Sequence, residues 1–185
     1  MYRRTLAGLA LAGLAAPSVL RAQSSQGVQS SQERLVFTLK DGDVTIQFRP
    51  DVAPLHVERV KTLTRQGFYD GTPFHRVIEG FMAQGGDPSG TGTRGSSLPD
   101  LKAEFTTRYR FLRGTVGAAR TQNPDSANSQ FYIMFAPAPN LDGNYTIWGQ
   151  VIGGMDAVDK IQRGSGRDGI VQQPDRLLKA RLVNA

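Results

Sequence analysis

Arg76 and Gln84 are the residues of this chain least at home among their neighbours. They interrupt Phe74-His75-Arg76-Val77-Ile78-Glu79-Gly80-Phe81-Met82-Ala83-Gln84-Gly85-Gly86-Asp87, a run otherwise rich in apolar and strand-forming residues. A guanidinium is costly to bury unless it is paired, so an arginine in such a strand either faces solvent or lines a cleft. Two further segments set long polar side chains into apolar strands in the same way. One is Thr115-Val116-Gly117-Ala118-Ala119-Arg120, continuing to Asp125-Ser126-Ala127-Asn128-Ser129-Gln130-Phe131-Tyr132-Ile133. The other is Asn140-Leu141-Asp142-Gly143-Asn144-Tyr145-Thr146-Ile147-Trp148-Gly149.

The usual bond-making machinery is missing. The sequence has no cysteine, which removes thiol nucleophiles, disulfides, zinc ribbons and iron–sulfur clusters together. Its two histidines, His56 and His75, leave little material for a multi-histidine metal site or a Ser-His-Asp triad. His56 falls in a helical segment and reads as a solvated surface residue. His75, between Phe74 and Arg76, reads as a structural imidazole bonded to the backbone. Asp41 with Asp43, and Asp168 beside Arg167, sit in turns, where acids serve the backbone. Gly90-Thr91-Gly92-Thr93-Arg94-Gly95 matches the spacing of a dinucleotide-binding loop, but Ser96-Ser97-Leu98-Pro99 follows it and no helix can open there. A flexible surface loop is the expectation.

The elements that must position these residues come from a chain of 185 residues, enough for one domain and a tail. At 39% hydrophobic and 21% charged residues the composition is globular. Residues 1–22 have a basic start at Arg3-Arg4, a short apolar stretch from Leu6 to Ala16, and small residues at the end. That pattern is an export signal, too short for a bilayer span of about 20 residues. The paired arginines, the diluting glycines and Arg21 resemble a twin-arginine signal, with an ordinary secretory signal as the other reading. Both readings predict an exported, periplasmic protein. Removing residues 1–22 takes away three of the 22 basic residues and no acid, so the formal charge falls from +6 to +3. The remaining charges are scattered with acids between them, so nucleic-acid binding is not expected. Residues 23–33 read as a flexible Ser/Gln tether.

From residue 34 onward, Leu35 to Leu39 and Val44 to Phe48 flank an Asp41-Gly42 turn, a strong hairpin signal. Leu55, Val57, Val60 and Leu63 recur at helical spacing up to Gly67. Short strands follow: Phe74 to Ile78, Phe81 to Gln84, Thr115 to Ala119, Gln130 to Phe135, Thr146 to Ile152 and Leu177 to Val183, with a second helix over Met155 to Ile161. About eight strands and two helices without βαβ alternation predict an antiparallel sheet that hides its edges by closing: a mostly β protein, an eight-stranded barrel with two flanking helices.

The chain resembles the cyclophilin-type peptidyl-prolyl cis-trans isomerases from about Val36 to Val183. The resemblance rests on Phe74-His75-Arg76, Gly80-Phe81-Met82-Ala83-Gln84-Gly85-Gly86-Asp87, Ser129-Gln130-Phe131 and Leu141-Asp142-Gly143, which occur in family order. It implies residues 34–185 as an isomerase domain, with Arg76 as the catalytic arginine and Gln84 as its polar partner. It implies Phe81, Met82, Tyr132 and Leu141 as a proline pocket, and Ala119, Arg120, Gln130 and Tyr145 along the groove for the flanking peptide. Strand parity agrees in part, since Met82 with Gln84 and Gln130 with Tyr132 share faces at period two. Phe81 falls on the opposite parity and needs a bend, for which Gly80 is the candidate. Tyr132 stands where the family usually has Phe, bringing a hydroxyl to the pocket floor that either reduces its depth or needs a partner. Asn140 stands where Trp is frequent, and Arg120 and Tyr145 where Asn and His are common.

The implied reaction suits the missing machinery. Rotation about an X-Pro bond is resisted by a resonance barrier of about 18–20 kcal/mol, and no bond is broken. A site that fits the twisted amide better than either planar isomer suffices, and a guanidinium can donate to the prolyl nitrogen as it regains its lone pair. No cofactor and no metal are implied. The partners implied are proline-containing peptides and unfolded protein clients, with a monomer as the expected state. The alternative is a peptide-binding chaperone or scaffold that uses the same groove without catalysis.

Overall fold

A computed structural model describes residues 33–184. The expected export signal and nearly all of the expected tether lie outside the described residues. Glu33, the last tether residue, is ion-paired to Lys61 and Arg65.

Eight strands form one antiparallel sheet: β1 (Arg34–Leu39), β2 (Gly42–Phe48), β3 (Arg76–Ile78), β4 (Met82–Gly85), β5 (Thr115–Ala118), β6 (Phe131–Met134), β7 (Ile147–Gly153) and β8 (Lys179–Val183). Their order across the sheet is β3-β4-β6-β5-β7-β2-β1-β8. The β1–β2 hairpin turns at Lys40-Asp41, one residue before the expected Asp41-Gly42, because Gly42 already pairs with Leu39, and it sets Leu35 against Ile46 and Phe37 against Val44. All four are buried in the main core with Leu39, Phe48, Phe131, Ile133 and Trp148. Register shifts at Thr45/Ile46 and Val116/Gly117 bend the ribbon and raise its twist. At Gly149 a methyl group would stand 2.8 Å from Ile46 Cγ2, so the two strands approach more closely there than a side chain permits.

The expected closure into a barrel by strand pairing is not found. β3 and β8 are the two edges of a curled sheet, and they do not pair with each other. The irregular segment 164–178 occupies the gap. It takes hydrogen bonds from β3 and the residues before it, as in Val77 N–H to Gly169 O (2.7 Å) and Phe74 N–H to Asp175 O (2.9 Å). Leu178 N–H then donates to Thr38 O on β1 (2.9 Å). The glycines and Pro174 of this segment preclude a regular ladder, yet its backbone groups satisfy the β3 edge.

Helix α1 (Pro54–Arg65) packs His56, Val57, Val60, Leu63 and Thr64 inward, and α2 (Met155–Asp159) packs Ala157 and Val158. Leu55, expected on the apolar face, is exposed because the buried stripe runs through His56, Val57, Val60, Leu63 and Thr64 and leaves position 55 on the solvent side. The α1 N-terminus has no cap of its own. Instead the Glu104 carboxylate, from a distant loop, accepts the N–H groups of Leu55 and His56, both at 3.0 Å. The C-terminus closes in a Schellman arrangement, with Gly67 at φ +68° and Phe68 N–H bonded to Leu63 O.

The sheet carries apolar side chains on both faces where the site lies. On β6, Phe131 and Ile133 enter the main core, whereas Tyr132 and Met134 join a second cluster with Met82, Phe111, Ala138, Leu141 and Ile147. That second cluster is the floor under the polar residues described next.

Candidate active site

β3 and β4 pair in a tight antiparallel hairpin in which Arg76 stands opposite Gln84, and β4 pairs with β6 so that Gln84 stands opposite Tyr132. One face of three adjacent strands therefore presents Arg76, Gln84 and Tyr132 in a row. Met82 lies two residues from Gln84 on the same face. Phe81 reaches the same side because the chain bends before β4. Gly80 adopts φ +69°, and Phe81 N–H closes the turn onto Ile78 O (3.1 Å). The bend expected at Gly80 is there.

These side chains, together with Ala119, Arg120, Leu141 and Tyr145, line a cavity of about 180 Å³. Nine of the ten residues picked out from the sequence meet in this one place. Leu141 comes from a single 3-10 turn (Pro139–Leu141), and Tyr145 stands edge-on to Tyr132 with ring centroids 6.1 Å apart. Gln130, the tenth, lines an adjoining cavity and is tied to the first by hydrogen bonding.

Arg76 is held on two sides. Its Nε–H donates to the backbone carbonyl of Asp168 (3.0 Å) and its Nη1–H donates to Gln84 Oε1 (3.1 Å). The chain of bonds continues: Gln84 Nε2 donates to Gln130 Oε1 (2.9 Å), and Gln130 Nε2 donates to the carbonyls of Gly92 (3.0 Å) and Arg94 (2.9 Å). Because each amide oxygen accepts while its nitrogen donates onward, this chain fixes the orientation of both glutamines.

Arg120 is a clip across the mouth. Its Nη1–H groups donate to Thr121 O (2.8 Å) and Gln122 O (3.4 Å), its Nη2 donates to Asn144 O (2.8 Å), and its guanidinium lies 4.3 Å from the Tyr145 ring centroid. One arginine thus joins the loop after β5 to the loop before β7.

Tyr132 is 5% exposed, and its hydroxyl has no hydrogen-bond partner. Of the two expectations for this hydroxyl, a partner is not found among the described residues. Its ring stacks on Phe111, with centroids 5.8 Å apart. Burial pushes the Tyr132 phenol far above its ordinary value, so it remains protonated.

Both histidines differ from their sequence reading. His56 is buried, and its Nδ1 lies 2.6 Å from Glu104 Oε2, because Glu104 folds over the start of α1 and covers it. His75 is buried as expected, with the Pro73 backbone favouring its charged form, but among the described residues no hydrogen bond of full geometry reaches either ring nitrogen. Burial pushes both imidazoles below their ordinary value; at His56 the Glu104 carboxylate opposes the shift. The glycine-rich loop is exposed, as expected of a surface loop, but it is tied down. Asp87 accepts bonds from Ser89 N–H (2.8 Å), Ser89 Oγ (2.7 Å) and Arg94 N–H (3.2 Å). Desolvation raises the Asp87 carboxyl, and these donors together hold it below its usual range.

The carbonyls of Asp168, Gly92, Arg94 and Asn144 and the ring of Phe111 are site components that sequence reasoning missed. A backbone carbonyl carries no side-chain signature, and Phe111 lies in an irregular stretch without periodicity.

A curled eight-stranded antiparallel sheet with two helices, presenting a tethered arginine beside a small aromatic and aliphatic slot, has a cyclophilin-like fold. The family model for cyclophilin-type peptidyl-prolyl cis-trans isomerases matches residues 34–182. A probable peptidyl-prolyl cis-trans isomerase of Brucella abortus (strain 2308) is 48% identical over 186 aligned positions, covering 94% of both chains. Among solved structures, the cyclophilin AquaCyp293 from Hirschia baltica superposes with a TM-score of 0.73 at 27% identity, covering 82% of this chain and 74% of that one. A Cryptosporidium parvum cyclophilin-type isomerase, crystallised in the presence of the dipeptide Ala-Pro, gives 0.76 at 25% identity, covering 82% and 99%. The chain belongs to the cyclophilin-type peptidyl-prolyl cis-trans isomerases, and its substrates are proline-containing peptides and proteins.

Proposed function

We propose that the prolyl ring of the substrate enters the slot formed by Phe81, Met82, Tyr132 and Leu141, and that Arg76 drives the isomerisation. The reading rests on one observation: Arg76, tethered at Nε and Nη1, lines the same cavity of about 180 Å³ as those four side chains. A guanidinium has five N–H donors, of which two are engaged here, so the others are free to reach a substrate. As the amide twists, its nitrogen becomes pyramidal and basic, and a fixed donor then binds it more strongly than it binds the planar ground state. Every ~1.36 kcal/mol of such selective stabilisation speeds the rotation about tenfold. Gln84 holds the guanidinium in place, and Ala119, Arg120, Gln130 and Tyr145 flank the peptide. The crystallisation of a structural relative with Ala-Pro supports proline as the group recognised.

The domain acts as a monomer, without nucleic acid, on folding clients outside the cytoplasm. The basic, apolar and small-residue pattern of residues 1–22 supports an export signal, and residues 23–33 a tether to the isomerase domain.

A coupled assay on a proline-containing peptide tests the mechanism. Arg76→Ala is expected to lower kcat/KM by a factor of about 10² or more, in the range found for removal of a preorganised donor. Near-normal turnover in a folded variant would refute the assignment. Unchanged peptide binding with lost turnover separates catalysis from the alternative of a binding scaffold.

A further inference from the structure

The slot opens into a second cavity of about 610 Å³, with which it shares Gln84, Ala119 and Arg120. The pinned loop 92–96 forms one wall, and Ser126 and Asn128 form another. Across both cavities the charged lining is three arginines, Arg76, Arg94 and Arg120, against one acid, Asp100, whose Oδ1 accepts a bond from Asn128 Nδ2 (2.9 Å). Arg76 and Arg120 are turned onto carbonyls and Gln84. Arg94 differs. Among the described residues its guanidinium has no acidic partner, although its backbone is fixed on both sides, N–H to Asp87 and C=O from Gln130. An exposed cation is thereby held at the rim of a positively charged cleft.

We propose that this arrangement makes the enzyme select substrates carrying an acidic side chain close to the proline, with Arg94 as the specificity-determining residue. The inference rests on the proline-slot reading above. An extended peptide advances about 3.3–3.6 Å per residue, so a chain with its ring in the slot lays a residue one or two positions away over the adjoining cavity. A cleft lined by one sign of charge concentrates the opposite sign, and a lysine or arginine at that place meets like charge. The volume admits a glutamate side chain with its water.

The test uses the full chain and peptides with Ala, Glu or Lys at each of the two positions on either side of a single proline. Isomerisation is read by NMR exchange, so that no protease preference enters. At about 10 mM salt, where the Debye length is roughly 30 Å, Glu should exceed Lys in kcat/KM by about fivefold at one or more of these positions. The contrast should shrink at about 1 M salt, where that length is roughly 3 Å. Arg94→Glu should invert the order and Arg94→Lys should keep it. Equal rates for Glu and Lys at all four positions overturn the inference, as does a preference that Arg94→Glu leaves intact. In either case turnover of the Ala peptides by the unsubstituted chain shows that the isomerase reading survives; no turnover of any peptide overturns both.

Discussion

Gly117 on β5 and Tyr132 on β6 are register partners, and a methyl group on the glycine would stand 2.6 Å from the tyrosine Cζ and 2.7 Å from its hydroxyl oxygen. The same methyl would lie 2.8 Å from Phe111 Cε1. A tyrosine fits the floor of the slot here only because its cross-strand partner has no side chain. The stacked pair of Phe111 and Tyr132 closes the slot from below, so the glycine determines its depth.

Gly117→Ala is therefore expected to push the two rings upward. It should cost about 1–3 kcal/mol of stability, the usual range for overpacking, and raise KM more than it lowers kcat. Denaturant unfolding with steady-state kinetics measures both. Tyr132→Phe removes a buried hydroxyl that has no partner, and should leave the unfolding midpoint unchanged or raise it by up to about 1 kcal/mol equivalent.

The tether on Arg76 makes lysine a poor substitute. An ammonium cannot reach Asp168 O and Gln84 Oε1 in the forked geometry that Nε and Nη1 satisfy together. Arg76→Lys should retain less than about a tenth of kcat/KM. Gln84→Ala should lose less than Arg76→Ala, because the Asp168 carbonyl still holds one side of the guanidinium. A Gln84→Ala loss equal to that of Arg76→Ala would show that the glutamine itself touches the reacting amide.

Arg120 joins two loops through three carbonyls and a stacked Tyr145. Arg120→Leu should cost about 1–2 kcal/mol and speed amide hydrogen exchange in residues 121–126 and 142–145, with little change in the strands. Uniform exchange across the sheet would argue against a local clip.

Stability should fall on mild acidification. Burial lowers the His56 and His75 values from the ordinary 6.5. Near and below that pH the unfolded chain binds more protons than the folded one, so stability rises with pH through this window. It is complete above about pH 7 and declines as pH drops through 6.5 towards the folded values. Unfolding midpoints between pH 8 and pH 5 should show this fall, and His75→Gln should flatten it. A midpoint that increases on acidification contradicts the assignment.

Glu104 substitutes for a helix cap that Ala53 cannot provide. Glu104→Ala leaves the N–H groups of Leu55 and His56 and the His56 ring without their acceptor, and should cost about 1–3 kcal/mol. Exchange protection in the first turn of α1 should fall most. Equal loss throughout the chain would mean that α1 does not open separately.

Much of the architecture was legible because it follows from local patterns. The turn signal around Asp41-Gly42 between two alternating runs specifies the β1–β2 hairpin to within one residue, and Val57, Val60 and Leu63 specify the buried face of α1. Period-two parity placed Met82 with Gln84, and the structure adds that β3, β4 and β6 lie side by side, which brings Arg76 and Tyr132 to the same face. Parity could not reveal the failure of the sheet to close. That depends on segment 164–178, whose hydrogen bonds satisfy an edge without forming a ladder. Nor could it reveal that His56 is covered, since Glu104 lies 48 residues away.

By itself the sequence determined which side chains are chemically available: a guanidinium, two amides and a set of apolar rings, with no thiol and only two imidazoles. Residue identity and short-range periodicity are local properties, so they can be read along one dimension. Only the tertiary structure decided how Arg76 is held, what lies beneath Tyr132 and which cation faces the second cavity. Those depend on backbone carbonyls at Asp168, Gly92 and Arg94 and on the missing side chain of Gly117, groups whose effect exists only where distant strands and loops meet.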